Sequence, residues 1–135
     1  MPIDYSIDRD QGYMHTVAEG LVTFRDVRAH LDQERHDQGL ALREMIDARG
    51  ATLALDPLHV RQLVSVLRDL ARSHPLGPTA VLVGSDYAFG MLRMLETLVE
   101  DVCAIRPFRD EAEAREWLGR ERPMRRSGRL PPDST

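Results

Sequence analysis

TAVLVGSDYAFGMLRM, residues Thr79–Met94, joins a short apolar run to a Gly-Ser-Asp turn and then to an amphipathic segment. Ala80–Val83 has the length and composition of a buried strand. The segment after Asp86 places Ala88, Met91, Leu92, Leu95, Leu98 and Val99 at helical spacing. A strand feeding a helix is the repeating unit of an α/β sheet, and the Gly84–Asp86 loop lies beyond the strand's carboxyl end, where open α/β sheets bind ligands.

Working outward, the upstream segment repeats the pattern. Asp56-Pro57 pairs an N-cap residue with proline at the first helical position, and Val60, Leu63, Val64, Leu67, Leu70 and Ala71 then mark one apolar face. Pro75, Gly77 and Pro78 stop that helix before the Ala80 strand. Downstream, Val102–Ile105 reads as a further short strand, and Asp110–Glu113 as a capping box opening a last helix that carries Ala114, Trp117 and Leu118 inward. At the other end, Ile3, Tyr5 and Ile7 alternate with polar residues, Arg9–Gly12 is a turn, and Tyr13–Glu19 is the second arm of a hairpin ended by Gly20. Thr23 and Asp26 resemble a reciprocal helix cap, with Phe24, Val27 and Leu31 on one stripe and Gly39 as the stop.

Leu40–Asp47, LALREMID, points two ways. Its residues are strong helix formers, whereas its short length between Gly39 and Arg49-Gly50 suits a strand.

Composition excludes several chemistries. The chain of 135 residues is long enough for one self-sufficient core. All 18 basic residues are arginine, so no lysine exists to form a Schiff base, anchor pyridoxal phosphate or complete a Walker A loop. The lone cysteine, Cys103, forbids an internal disulfide and a thiolate zinc cage, and its place in an expected strand suits an inert thiol. Ser85 lacks the flanking glycines of a nucleophile elbow. His30 and Glu34 stand one helical turn apart, as do Asp32 and His36, but the sequence places no third ligand beside either pair. No catalytic residue, metal or cofactor is expected. MPIDYSID is polar where a signal peptide is apolar, and no run approaches the about 20 residues of a membrane span, which makes the cytoplasm the default expectation. A net charge of −4 gives no general reason to expect nucleic acid.

With these elements in place, the chain resembles the SpoIIAA-like family of the STAS/SEC14 group. The resemblance runs from about Ile3 to Gly119. It is carried by Ile46-Asp47-Ala48-Arg49, by Phe89-Gly90-Met91 with Arg93-Met94, and by Phe108-Arg109-Asp110 followed by Ala114 and Trp117-Leu118. It implies that Leu40–Asp47 is a strand. The expected fold is therefore α/β: a single mixed, mostly parallel sheet of about five strands, with an N-terminal hairpin at one edge and about four helices. Residues 1–119 would form the domain, and 120–135, with five arginines and three prolines, a disordered tail.

Anti-sigma-factor antagonists of this group carry an Asp-Ser-x-Gly element whose serine is phosphorylated. Here the corresponding region reads Leu55-Asp56-Pro57-Leu58, without serine. The other branch resembles small lipid-transfer domains whose helices part from the sheet to admit an apolar ligand. The leading expectation is thus a non-catalytic module for a small apolar or amphipathic, lipid-like ligand, with a membrane surface as a further partner. The alternative is a STAS-type regulatory protein-interaction domain that works without the phosphorylatable serine.

Candidate ligand-binding residues follow, each beside a plainer role. Asp47 and Arg49 offer a polar head-group site or a local ion pair. Ser85 offers a hydroxyl and helix-start amides to an anion, or an ordinary N-cap. Phe89, Met91 and Met94 offer an adaptable apolar wall or plain core. Gly90 permits close approach of a ligand or of a neighbouring element.

Overall fold

A computed structural model describes residues 2–121. One five-stranded sheet runs in the order β1 (Ile3–Asp8), β2 (Tyr13–Thr23), β3 (Arg43–Ala54), β4 (Thr79–Val83) and β5 (Ile105–Phe108). β1 and β2 form the antiparallel hairpin, with Ile3 opposite Ala18 and Asp8 opposite Tyr13. The remaining pairings are parallel. α1 (Phe24–His36), α2 (Pro57–Ala71) and α3 (Asp86–Leu98) connect the parallel strands, and α4 (Glu111–Arg120) follows the last one.

Strand order equals chain order, so α1, α2 and α3 share one face. Val27 and Leu31, Val60, Leu63 and Leu67, and Ala88, Leu92 and Leu95 pack there against Ala18, Val22, Ile46, Ala48, Val81 and Val83. The alternate residues Met45, Ala80 and Leu82 point to the other face, where Ala114, Trp117 and Leu118 of α4 cover them. β4 is buried on both faces, which is why it reads as a continuous apolar run. Each fully buried side chain of leucine size contributes about 1.5–3 kcal/mol relative to exposure.

Local chemistry explains the helix starts. Thr23 and Asp26, and likewise Asp56 and His59, form reciprocal capping boxes. Ser85 accepts the Ala88 N–H at 3.1 Å, and Asp110 accepts that of Glu113 at 2.9 Å. α1 ends in a Schellman turn: Gln38 takes φ 60°, its N–H reaches Arg35 O, and the Gly39 N–H reaches Glu34 O at 2.7 Å. Gly39 is glycine for a different reason, since a Cβ there would meet Met14 Cε at 2.5 Å.

Several boundaries differ from the sequence reading. Leu40–Leu42 form a turn, and the third strand starts at Arg43 and continues through Arg49-Gly50 to Ala54. Between Val17 and Glu19 the register of β2 against β3 slips, Val17 facing Asp47 and Glu19 facing Gly50. One extra β3 residue is accommodated there as a bulge, so the Arg-Gly pair bends the strand without ending it. Gly20 likewise does not end β2: it takes a left-handed φ of 72°, which glycine adopts readily, and the strand runs on to Thr23. The last strand begins at Ile105, not Val102, because the amides of Val102 and Cys103 turn back to Val99 O at 2.8 and 2.9 Å. Pro107 is tolerated in β5 because that strand is an edge of the sheet. α4 includes Arg120; the rest of the expected tail, from residue 122 on, lies outside the described residues.

Candidate functional site

α1 turns one polar pair inward. His30 and Glu34, four residues apart, lie on its buried side at 8% and 4% exposure. β3 supplies Glu44, on the same face of the strand as Ile46 and Ala48, at 4% exposure. β2 adds Thr16, which faces the same layer two positions along from Met14. The four side chains meet in otherwise apolar surroundings. His30 Nε2 lies 2.7 Å from Glu34 Oε1 and 2.8 Å from Glu44 Oε2. Thr16 Oγ1 donates to Glu44 Oε2 at 2.7 Å, which fixes that carboxylate. The ring of Tyr5 meets the imidazole edge-on at 5.3 Å between centroids, closing the outer side.

Burial shapes the proton balance of this cluster. It pulls the His30 imidazole down, but hydrogen bonds and charge from Glu34 and Glu44 outweigh that and raise it to about 10. Glu34 is raised by burial and then by the neighbouring Glu44 carboxylate, with His30 opposing. The cluster thus retains protons at neutral pH that ordinary histidine and glutamate would release.

A cavity of about 90 Å³ opens beside the cluster, between α1, α2, α3 and the sheet. Leu31, Leu40, Ile46, Leu63, Leu67, Leu76 and Leu95 wall it, Cys103 and Ile105 line it too, and His30, Glu34 and Glu44 form its polar end. Burial raises the Cys103 thiol to about 12, which keeps it protonated and inert. Gly77 lies against the same space with its N–H donated to Leu40 O at 2.7 Å. A Cβ there would fall 2.1 Å from Leu42 O and 2.7 Å from Ala41 O, so the chain crossing requires glycine.

The residues singled out from sequence lie elsewhere. Asp47 and Arg49 pair with each other at the β3 bulge, Arg49 Nη2 reaching Asp47 Oδ2 at 2.8 Å and Glu111 Oε1 at 3.4 Å. Ser85 caps α3. Phe89, Met91 and Met94 are partly buried against the core under the first three helices, and Phe89 also carries the Arg109 guanidinium 4.8 Å above its ring. Gly90 is exposed, and nothing lies within 4 Å of where its Cβ would be. Among the described residues no neighbouring element packs closely on Gly90. None of the seven lines the cavity.

Sequence reasoning reached His30 and Glu34 as a helical pair but missed Glu44 and Thr16. Period-two alternation in β3 was the available signal, since Glu44 shares its face with Ile46 and Ala48.

The architecture is a SpoIIAA-like fold. It superposes on the crystal structure of an uncharacterized protein from the DUF3478 family, with a SpoIIAA-like fold, from Shewanella loihica PV-4, with a TM-score of 0.57. The match covers 86% of this chain and 93% of that one at 17% identity, a likeness of fold alone. The chain matches no family model. No curated protein matches it significantly. Among the described residues no helix is long and apolar enough to cross a membrane.

Proposed function

We propose that this domain is a non-catalytic binding module that holds a small amphipathic ligand, its apolar part in the cavity beneath α1–α3 and its polar end toward His30, Glu34 and Glu44. The observation that carries this reading is the cavity itself, an apolar chamber with polar side chains gathered at one end. At about 90 Å³ it admits only a few heavy atoms. A longer, lipid-like chain requires α1 or α2 to swing from the sheet. Native mass spectrometry of freshly purified protein tests the reading through the added mass of a carried ligand. Leu67→Phe, which fills the cavity, should remove that mass and block uptake of short-chain fatty acids. Uptake unchanged in a stably folded Leu67→Phe protein would rule the chamber out.

A second reading, a regulatory protein-interaction domain, is favoured by a separate observation. Leu21, Leu58 and Tyr87 are exposed at 62%, 63% and 52%, all at the end of the sheet where β2 finishes and α2 and α3 begin. Tyr87 donates its hydroxyl to Leu55 O, which fixes its ring beside the Asp56-Pro57 helix start. A carried ligand favours the first reading. Loss of partner capture in Leu58→Ser, with ligand uptake intact, favours the second.

A further inference from the structure

We propose that His30, Glu34 and Glu44 form a binding site for one divalent first-row transition-metal ion, of the zinc class. This goes beyond the amphipathic-ligand reading and does not depend on it.

The argument starts from geometry. One donor atom from each residue lies within 4.8 Å of the other two, and all three residues are buried. Two of them lie at i, i+4 on a helix, the spacing with which helices present paired metal ligands. The third comes from a strand, so the donors converge from two rigid elements.

Hydrogen bonding alone serves this arrangement poorly. Both carboxylates approach the same ring atom, His30 Nε2, at 2.7 and 2.8 Å. That nitrogen offers at most one N–H, which points well at only one of them. The two carboxyl groups lie side by side in apolar surroundings. Apolar side chains of similar volume would pack there without the cost of burying polar groups. A dication at the point of convergence satisfies both carboxylates and the imidazole lone pair together.

Ligand chemistry narrows the ion. One imidazole nitrogen and two carboxylate oxygens suit zinc, iron or manganese; they lack the thiolates of a soft site and the six or more oxygens of calcium. Metal–ligand bonds of about 2.0–2.2 Å in a tetrahedral site set donors about 3.4 Å apart, so each carboxylate oxygen needs to move about 0.6–0.7 Å further from His30 Nε2, now at 2.7 and 2.8 Å. Rotation of the glutamate side chains supplies that. Thr16, bonded to Glu44 Oε2 at 2.7 Å, orients the carboxylate as outer residues of metal sites do. The cavity borders all three donors, leaving a fourth position for water or a ligand.

The test uses the full chain, treated with a chelator and then titrated with Co²⁺ and, in competition, with Zn²⁺. One ion per chain is expected, with visible Co²⁺ absorption and paramagnetic loss of the His30 ring signals in preference to those of His15, His36, His59 and His74. Glu34→Gln should weaken Zn²⁺ binding by about tenfold or more, while Asp101→Asn, on the surface, leaves it unchanged. No stoichiometric uptake by the wild type overturns the proposal. So does broadening at the other histidines with His30 untouched, or wild-type affinity in a folded Glu34→Gln protein. Should Glu34→Gln fail to fold, the His30 signals of the wild type decide alone.

Discussion

The imidazole of His30, in the middle of α1, meets the carboxylate of Glu44, near the start of β3, at 2.8 Å. This contact ties the first crossover helix to a central strand through polar atoms in an apolar layer. It makes the stability of the domain answer to pH in an unusual direction.

In metal-free protein, His30 has a folded pKa of about 10 against 6.5 ordinarily, so its contribution is full below pH 6.5 and is lost as pH rises toward 10. Glu34 is also raised from its ordinary 4.5, so its ionisation penalises the folded state as pH climbs above that value. Both signs agree: the folded chain holds more protons than the unfolded one, and stability falls with rising pH. Thermal melts in chelator should show a midpoint near pH 6 above that at pH 9, and Glu34→Gln should flatten the slope. A midpoint that rises across this window sinks the expectation.

The two glycines Gly77 and Gly90 should respond to alanine in opposite directions. At Gly77 the new methyl meets backbone oxygens at 2.1 and 2.7 Å, and backbone cannot move aside cheaply. Gly77→Ala is expected to cost about 3 kcal/mol or more, the upper end of overpacking. Gly90 sits in α3 with open space around it, so Gly90→Ala should gain about 0.5–1 kcal/mol from helix propensity alone. Denaturant melts of the two variants give the comparison. A destabilised Gly90→Ala would mean that something approaches that turn.

How far the sequence disclosed this molecule depended on the range of the forces involved. Asp56-Pro57, Thr23–Asp26 and the Ala80–Val83 run act within a few residues, and each element they announce is present. The stop signals at Gly20 and Arg49-Gly50 misled, because parallel pairing across a bulge overrode local turn chemistry. Leu40–Asp47 was undecidable from propensity because tertiary burial between β2 and β4 settles it. The polar cluster was half legible. Helical spacing delivered His30 and Glu34, whereas Glu44 stands ten residues further on in a strand, and only the fold brings it to them.

Cys103 should be chemically silent in the folded state. It is 5% exposed, and burial raises its thiol to about 12, so at pH 8 the thiolate needed for alkylation is scarce. Iodoacetamide should modify it only at the rate at which the domain opens, and quickly in denaturant. Fast labelling under native conditions would show that the chamber beneath α1–α3 opens readily, as entry of a long ligand requires.

The last expectation separates the strand-end residues from the chamber. Asp47 and Arg49 are bonded through two side-chain contacts of 3.0 and 2.8 Å, and Arg49 holds the Asp47 carboxyl below the usual range. The sign follows: the pair contributes above the ordinary aspartate value near 3.8 and is lost as pH falls through the lowered one. Its worth is small, because both side chains are more than a third exposed and water screens them. Asp47→Asn should therefore cost less than about 1 kcal/mol at neutral pH, and still less near pH 3. It should leave uptake of an apolar probe unchanged, whereas Leu67→Phe abolishes it. A strong loss of uptake in Asp47→Asn, with the melting midpoint held, would move the binding site from the chamber to the carboxyl end of β3.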